Sequence, residues 1–160
     1  MEPDNKKIAK RYSNAARAAK MRQADPYVDL APIKKGKASE AIFLAHCLRS
    51  NIEAFGCHTE DGKIDFIVGS QLARCQVKTF SHATQNVQLR KVRGGGGARG
   101  CETYLYTKKD IDYMVAVDLV DMAVWVMPIE DLVNYTVAIS LTAMNTKFIK
   151  NDISMFKMVP

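Results

Sequence analysis

The sequence has no long uninterrupted apolar run, and we therefore expect neither a membrane-spanning helix nor a secretory signal. A membrane-spanning helix needs about 20 consecutive apolar residues, but Asp118 and Asp121 interrupt the most apolar region, residues 114–129. The N-terminal segment MEPDNKKIAKRY is charged, and no apolar segment typical of a secretory signal follows it. We therefore expect a soluble cytoplasmic protein that does not engage a membrane.

Cysteine and histidine are also scarce, with four Cys and three His in 160 residues. Cys47, Cys57, Cys75 and Cys101 form no C-x-x-C pair and no spacing typical of a zinc site or a disulfide framework. We expect reduced thiols, with Cys47 and Cys75 behaving as small core residues. The glycine run at residues 94–97 is not followed by Lys and Ser or Thr, which excludes a P-loop and nucleotide hydrolysis.

Positive charge is present in excess and is unevenly distributed. Residues 1–37 contain ten basic and four acidic residues and so carry the whole net charge of +6. Residues 66–101 contain six basic residues and no acidic one. Such clustering is typical of a protein that binds a polyphosphate chain. A solubilising tail and a solvated loop are the alternative interpretation of either segment alone.

The length and the hydrophobic content of 48% predict one globular domain with an appendage. Residues 5–24 are rich in Ala, Lys and Arg and predict a basic, weakly anchored helix. The segment DPYVDLAP then reads as an extended connector. We place the boundary near Lys37, which gives an N-terminal arm and linker at residues 1–37 and a core with a C-terminal extension at residues 38–160.

Within the core, hydrophobic periodicity predicts a helix from Ala38, with Ala38, Ile42, Ala45 and Leu48 on its buried face and Glu40 off that face. Alternating or continuous apolar runs predict strands, and Pro128 predicts the start of a short helix. The glycine-rich segment at residues 93–100 predicts a flexible basic loop. The predicted strands are residues 52–57, 63–68, 71–80, 86–92, 111–119, 123–127 and 137–143.

Two of these strands flank Gly69-Ser70 and predict a tight hairpin that pairs Asp65 with Arg74. Alternation then gives the hairpin a polar, more open face and an apolar, core-facing one. For the hairpin on its own, an ordinary polar outer face with a cross-strand ion pair between Asp65 and Arg74 is the preferred explanation. The polar face holds Lys63, Asp65, Arg74, Gln76 and Lys78; the apolar face holds Ile64, Phe66, Val68, Ala73, Cys75 and Val77.

Five segments occur in a fixed order: KGKASE, GKIDFIV, ARCQVKT, YTKKDIDYMVAV and VWVMPIEDL. On these segments the chain resembles the PD-(D/E)xK endonuclease superfamily, and more narrowly its group I intron-associated homing endonucleases, over residues 35–132. The resemblance implies an α/β fold with a restriction-endonuclease-like core, in which helices flank a central mixed β-sheet. Ile64 departs from the pattern where Pro is usual, and Gln76 departs where an acidic residue is usual.

The resemblance also implies the roles of the site residues. Asp65 is the expected anionic ligand of Mg²⁺, with the side-chain oxygen of Gln76 and the carbonyl oxygen of Val77 as neutral ligands beside it. Mn²⁺ is expected to substitute for Mg²⁺. Glu40 is expected as a further ligand or as an orienter of metal-bound water; a residue that favours the helix dipole is the alternative. Lys78 is expected to hold or help deprotonate the attacking water. The predicted catalytic residues are Glu40, Asp65, Gln76 and Lys78.

The expected partner is double-stranded DNA, and cleavage of both strands implies a homodimer or homotetramer. Alternatives are a nuclease that resolves Holliday junctions, an inactive DNA-binding module of the same fold, and an interaction protein with a solubilising basic arm. Tyr104 and Tyr106 are expected to pack as strand residues. The predicted DNA-binding residues are Lys10, Arg11, Arg17, Lys20, Lys34, Lys35, Lys37, Arg74, Arg90, Lys91, Arg93 and Arg99.

Overall fold

A five-stranded mixed β-sheet organises the computed structural model, which describes residues 19, 25–27, 29–57, 62–81, 84–93, 102–135, 137–141 and 147–157. Helix α1 spans Pro32–Arg49. The strands are β1 (Ala54–Gly56), β2 (Phe66–Val68), β3 (Ala73–Thr79), β4 (Asn86–Gln88), β5 (Arg90–Arg93), β6 (Glu102–Leu105), β7 (Tyr113–Asp118), β8 (Ala123–Pro128) and β9 (Ala138–Ser140). Short 3-10 helices span Ile129–Leu132 and Ser154–Phe156.

The large sheet has the strand order β1-β2-β3-β7-β8. Its neighbours are antiparallel except for β3 and β7, which are parallel. Two small antiparallel pairs, β4 with β9 and β5 with β6, lie outside this sheet. A parallel pair needs a long crossover connection, and here residues 80–112 provide it. The predicted α/β fold with a central mixed sheet is confirmed.

Both faces of the large sheet are buried. One face packs against α1 through Phe43 and Cys47 and against the C-terminal Ile153 and Phe156. The other face packs against residues of the crossover and of β9 in a second core cluster that includes Trp125. Alternate residues of β7 and β8 enter different clusters, as strand geometry requires. The central strand β3 is therefore covered on both sides.

Helix α1 begins earlier and buries a different face than the sequence indicates. It starts at Pro32 rather than Ala38, because proline is well tolerated in the first turn. Its buried residues are Ser39, Phe43 and Cys47, at intervals of four, whereas Leu48 is exposed. The predicted face was wrong in part: Ile42 packs against the core, but Phe43, and not the small Ala residues, anchors the helix on the sheet.

The hairpin register also differs from the prediction. Ile67, and not Asp65, lies opposite Arg74, because four residues rather than two connect β2 to β3. The turn uses left-handed backbone at Gly69 and at Leu72. A Cβ atom on Gly69 would lie 2.5 Å from the Phe156 carbonyl oxygen, so the turn packs closely on the C-terminal segment. The predicted pairing of Asp65 with Arg74 is therefore wrong, and the alternative ion pair between them is not formed, because Arg74 pairs with Asp112.

Several smaller elements differ from the predicted ones or were not predicted. The predicted strand at residues 86–92 is two strands, β4 and β5, and β6 was not predicted. The C-terminal segment covers the outer edge of β8, where Val124 and Asn151 exchange hydrogen bonds. Cys47, Cys57 and Cys75 are free thiols, and burial raises the pKa of Cys47 to about 11.

Two predicted segments lie largely or wholly outside the described residues. Of the basic helix at residues 5–24, only Ala19 is described, and it is helical. The glycine run at residues 94–97 lies outside them entirely. Among the described residues, no helix combines the length and the apolar character that crossing a membrane would require.

Candidate active site

Asp65 lies just before β2, where backbone contacts hold it between two strands. Its N–H donates to the Cys75 carbonyl and its carbonyl accepts from the Cys57 N–H, both at 2.8 Å. Through these bonds, the residue before β2 is also paired with β3 on one side and with the residue after β1 on the other. Asp65 consequently lies beside Gln76 on β3. The register shift of two residues keeps both side chains on one face, as predicted, because parity is unchanged.

The side chains of Asp65 and Gln76 are directly hydrogen-bonded. Asp65 Oδ2 accepts the backbone N–H of Val77 at 2.7 Å and also accepts from Gln76 Nε2. Gln76 Nε2 donates to the Val77 carbonyl at 3.2 Å as well, and Tyr106 donates its hydroxyl to Gln76 Oε1 at 3.1 Å. Gln76 is only 7% exposed. On the face predicted to be more open, Gln76 is therefore buried, whereas Lys63, Asp65, Arg74 and Lys78 are partly exposed.

Helix α1 brings Glu40 to the same end of the sheet. Ser39 is fully buried, and its hydroxyl lies 2.8 Å from that of Thr79, the last residue of β3. This contact fixes the helix on the strand that carries Gln76. The carboxylate of Glu40 accepts a hydrogen bond from Lys37 at 2.9 Å. Glu40 is near enough to Asp65 to raise its pKa by charge repulsion.

Burial is the main reason that the pKa of Asp65 is raised. The hydrogen bond from the Val77 N–H lowers this pKa, and the charge of Glu40 raises it further. The positive charges of Lys78 and Lys37 also lower it. Burial disfavours the ionised form because the charge loses its hydration. A positive charge beside the two carboxylates would oppose both effects.

Lys78 is half-buried and follows Gln76 by two residues on the same face of β3. Its ammonium nitrogen lies 5.2 Å from the centre of the Tyr106 ring, within the range of a cation–π contact. Tyr106 is buried, and its ring centre is 5.8 Å from that of Tyr104. Both tyrosines pack against the core as expected, Tyr104 from within β6 and Tyr106 from just after that strand. The hydrogen bond from Tyr106 to Gln76 was not predicted. No sequence pattern indicates that a residue just after β6 contacts a residue of β3.

A second lysine approaches the aromatic pair. Lys63 lies 5.1 Å from the centre of the Tyr104 ring and forms an ion pair with Asp110. Asp110 also accepts from the backbone N–H and the hydroxyl of Thr107. The hydrogen bond from Lys63 is the main reason that the pKa of Asp110 is lowered. Lys63 thus stays on the site face, although Asp110 neutralises part of its charge.

Arg74 lies apart from the Asp65 network. Its guanidinium donates to both carboxylate oxygens of Asp112, at 3.0 and 2.9 Å, and to the carbonyls of Lys108 and Lys109. Its backbone N–H also donates to Asp112. These contacts attach the segment before β7 to β3. They give Arg74 a structural role, whereas its predicted role as a DNA ligand stays a prediction.

The other predicted DNA-binding residues fall into three groups. Lys34, Lys35 and Lys37 lie in the first two turns of α1, on the side of the sheet where Glu40 approaches Asp65. Arg90, Lys91 and Arg93 lie in β5. The remaining five are outside the described residues: Lys10, Arg11, Arg17, Lys20 and Arg99.

The oxygen atoms at this site suit a hard cation. Two carboxylates, Asp65 and Glu40, and the Val77 carbonyl are ligand types that Mg²⁺ accepts while it retains several waters. The described residues contain no group of three or more His, Cys, Asp or Glu side chains able to hold a metal. Oxygen atoms of this kind are ligands typical of Mg²⁺, whereas zinc sites usually contain His or Cys.

Comparison with known proteins supports the fold. Neither a scan of protein-family models nor a search of curated protein sequences gave a match. Among solved structures, the chain is similar to a bacterial homing endonuclease, I-Ssp6803I, with a TM-score of 0.61 and 20% sequence identity. The similarity covers 73% of this chain and 82% of that protein. At this identity, it shows that the two chains share a fold.

Proposed function

We propose that this protein is a Mg²⁺-dependent endonuclease of the PD-(D/E)xK type that hydrolyses phosphodiester bonds in double-stranded DNA. The observation that carries the proposal is the convergence of Asp65, Gln76, Lys78 and Glu40 at one end of the central sheet. This convergence supports the proposal because the four residues come from α1, β3 and the segment before β2. The similarity in fold to a homing endonuclease supports the same reaction class.

Asp65 and Glu40 would hold the metal, with the Val77 carbonyl as a neutral ligand beside them. A bound Mg²⁺ polarises the scissile phosphate and lowers the pKa of bound water. Lys78 lies on the same face as Asp65 and can hold the attacking water or offset charge that develops on the phosphate. The Tyr106 ring beneath Lys78 restricts where its ammonium group can lie.

DNA would reach this site across a positively charged surface. Lys34, Lys35 and Lys37 line the start of α1, and the basic segment at residues 5–24 precedes them in the sequence. Such residues contribute affinity through phosphate contacts that carry no base specificity. One chain supplies one site, so cleavage of both strands requires a homodimer or homotetramer. Cleavage at a defined site, as in homing, is the finer form of the same proposal.

The test is a plasmid-cleavage assay with and without Mg²⁺, on wild type and two site variants. Asp65→Asn and Lys78→Met should each abolish cleavage while fold and DNA retardation are retained. Asp65→Asn should also weaken metal binding, whereas Lys78→Met should not. Matched controls are Asp121→Asn and Lys108→Met, which alter exposed ion pairs with Lys150 and Glu130.

Each outcome discriminates between functions. Cleavage by wild type and by both controls, but by neither site variant, supports the proposal. DNA retardation without cleavage by wild type would indicate an inactive binding module, and neither activity would indicate an interaction protein. Preference for a four-way junction over a linear duplex would indicate a junction-resolving nuclease. Near-normal cleavage by either site variant would refute the assigned site.

A further inference from the structure

The orientation of the Gln76 side chain is determined by its hydrogen bonds. Tyr106 donates its hydroxyl to Oε1, and Nε2 donates to the carboxylate of Asp65 and to the carbonyl of Val77. The amide has two N–H donors and one oxygen, and each has a partner in this arrangement. Because Gln76 is 7% exposed, water contributes little to satisfying these groups.

The reverse orientation is unfavourable. Rotation of the amide by about half a turn would place Oε1 against Asp65 Oδ2 and the Val77 carbonyl, so that three acceptors would meet without a proton between them. Buried polar groups without partners are destabilising. The Tyr106 hydroxyl further favours the observed orientation, because in the reverse one it would have to accept from Nε2 and its own proton would lose the Oε1 acceptor. The nitrogen of Gln76, and not its oxygen, therefore faces Asp65.

We propose that Tyr106 is a positioning residue that fixes Gln76 as a hydrogen-bond donor to Asp65, so that Gln76 orients the carboxylate instead of coordinating the metal. The functional meaning of this role rests on the proposed nuclease activity. Asp65 Oδ2 accepts two N–H groups, from Gln76 and from Val77, and a carboxylate oxygen has two lone pairs. The other oxygen, Oδ1, then serves the cation.

Tyr106 also contacts Lys78, through its ring instead of its hydroxyl. Its ring supports the Lys78 ammonium at 5.2 Å, whereas its hydroxyl supports Gln76. The two contacts can be separated by substitution. Tyr106→Phe removes the hydroxyl and keeps the ring, and Tyr106→Leu removes both. Tyr104→Phe is the matched control, since it removes the hydroxyl of the adjacent ring and leaves the Gln76 contact.

The first measurement is nuclear magnetic resonance on the full, metal-free chain. In wild type we expect a scalar coupling across the hydrogen bond between Gln76 Nε2 and Asp65 Cγ, and slow solvent exchange of the Gln76 side-chain protons. In Tyr106→Phe, loss of one buried hydrogen bond should speed that exchange by about tenfold. Tyr104→Phe should match wild type. Absence of the coupling in wild type, or unchanged exchange in Tyr106→Phe, overturns the proposal.

The second measurement separates positioning from general stability. Substitution of a residue that supports the ligands of a metal site typically lowers metal affinity or activity by about 10- to 100-fold. We expect Tyr106→Phe to lower kcat by this amount with KM for DNA unchanged, and Tyr106→Leu to lower kcat further because Lys78 also loses its support. A rise in KM alone overturns the positioning role. The resonance experiment needs no turnover, so an inactive wild type would refute the nuclease and leave the orientation of Gln76 to be judged separately.

Discussion

The contact between Ser39 and Thr79 provides a direct test of how the fold builds the site. Ser39 is fully buried on α1, and its hydroxyl is 2.8 Å from that of Thr79 at the end of β3. Ser39→Ala removes this bond and leaves the Thr79 hydroxyl without its partner on the helix. Glu40 is the next residue along α1, so the same change loosens the helix where the carboxylate approaches Asp65.

The size of the effect follows from the full burial of Ser39 and the partial burial of Thr79. A hydrogen bond contributes about 1 kcal/mol to stability, and a buried group left unsatisfied costs about 1–3 kcal/mol. We therefore expect Ser39→Ala to lower the free energy of unfolding by about 1–3 kcal/mol. For a chain of this size, each kcal/mol lowers Tm by about 2–4 °C. The expected loss is about 2–12 °C.

The assay is a double-mutant cycle with Ser39→Ala, Thr79→Val and the double variant, measured by urea denaturation. Removal of both hydroxyls leaves no orphaned partner, so the double variant should be less destabilised than the sum of the two single variants. We expect a coupling energy of at least about 0.5 kcal/mol. Ser140→Ala, at an exposed hydroxyl, should change stability by less than about 0.5 kcal/mol. Strict additivity in the cycle would refute the reasoning.

Three further predictions concern a structural ion pair, the metal site and the basic arm. Arg74 lowers the pKa of Asp112 by hydrogen bonding, so the stabilisation that the pair provides is present above the unfolded pKa and is lost as pH falls through the folded pKa. Asp112→Asn should therefore destabilise the protein at pH 7 and progressively less in acid, and a pH-independent difference in melting temperature would contradict this. Gln76→Glu removes the donor to Asp65 and adds a second buried carboxylate, so its Tm should fall in EDTA and recover in Mg²⁺ more than that of wild type; an unchanged Tm in EDTA would argue that Gln76 does not donate to Asp65. Deletion of residues 1–24 should weaken DNA binding and reduce the slope of log affinity against log salt by about 0.9 for each phosphate that the arm neutralises, and an equal slope would show that the arm does not bind DNA.

Local patterns in the sequence predicted much of the fold. The continuous apolar runs at residues 111–119 and 123–127 correspond to β7 and β8, because strands buried on both faces need apolar residues at every position. The alternation along residues 71–80 correctly placed Gln76 and Lys78 on one face of β3. Residues next to a turn were less predictable, since the number of residues in the turn sets the register and the actual turn included left-handed Leu72. The apolar face of α1 was misplaced because the sheet that it covers was not yet defined.

The sequence by itself determined which residues share the polar face of β3 and that a carboxylate, an amide and an ammonium group are available there. These properties depend on the two-residue period of a strand, which any extended chain obeys. Only the tertiary structure decided that Gln76 on this face is buried, that Arg74 bonds Asp112 instead of Asp65, and that Tyr106 donates a hydrogen bond to Gln76. Those contacts join residues 30 or more positions apart in the chain. Their geometry depends on how the crossover packs against the sheet, which no local pattern encodes.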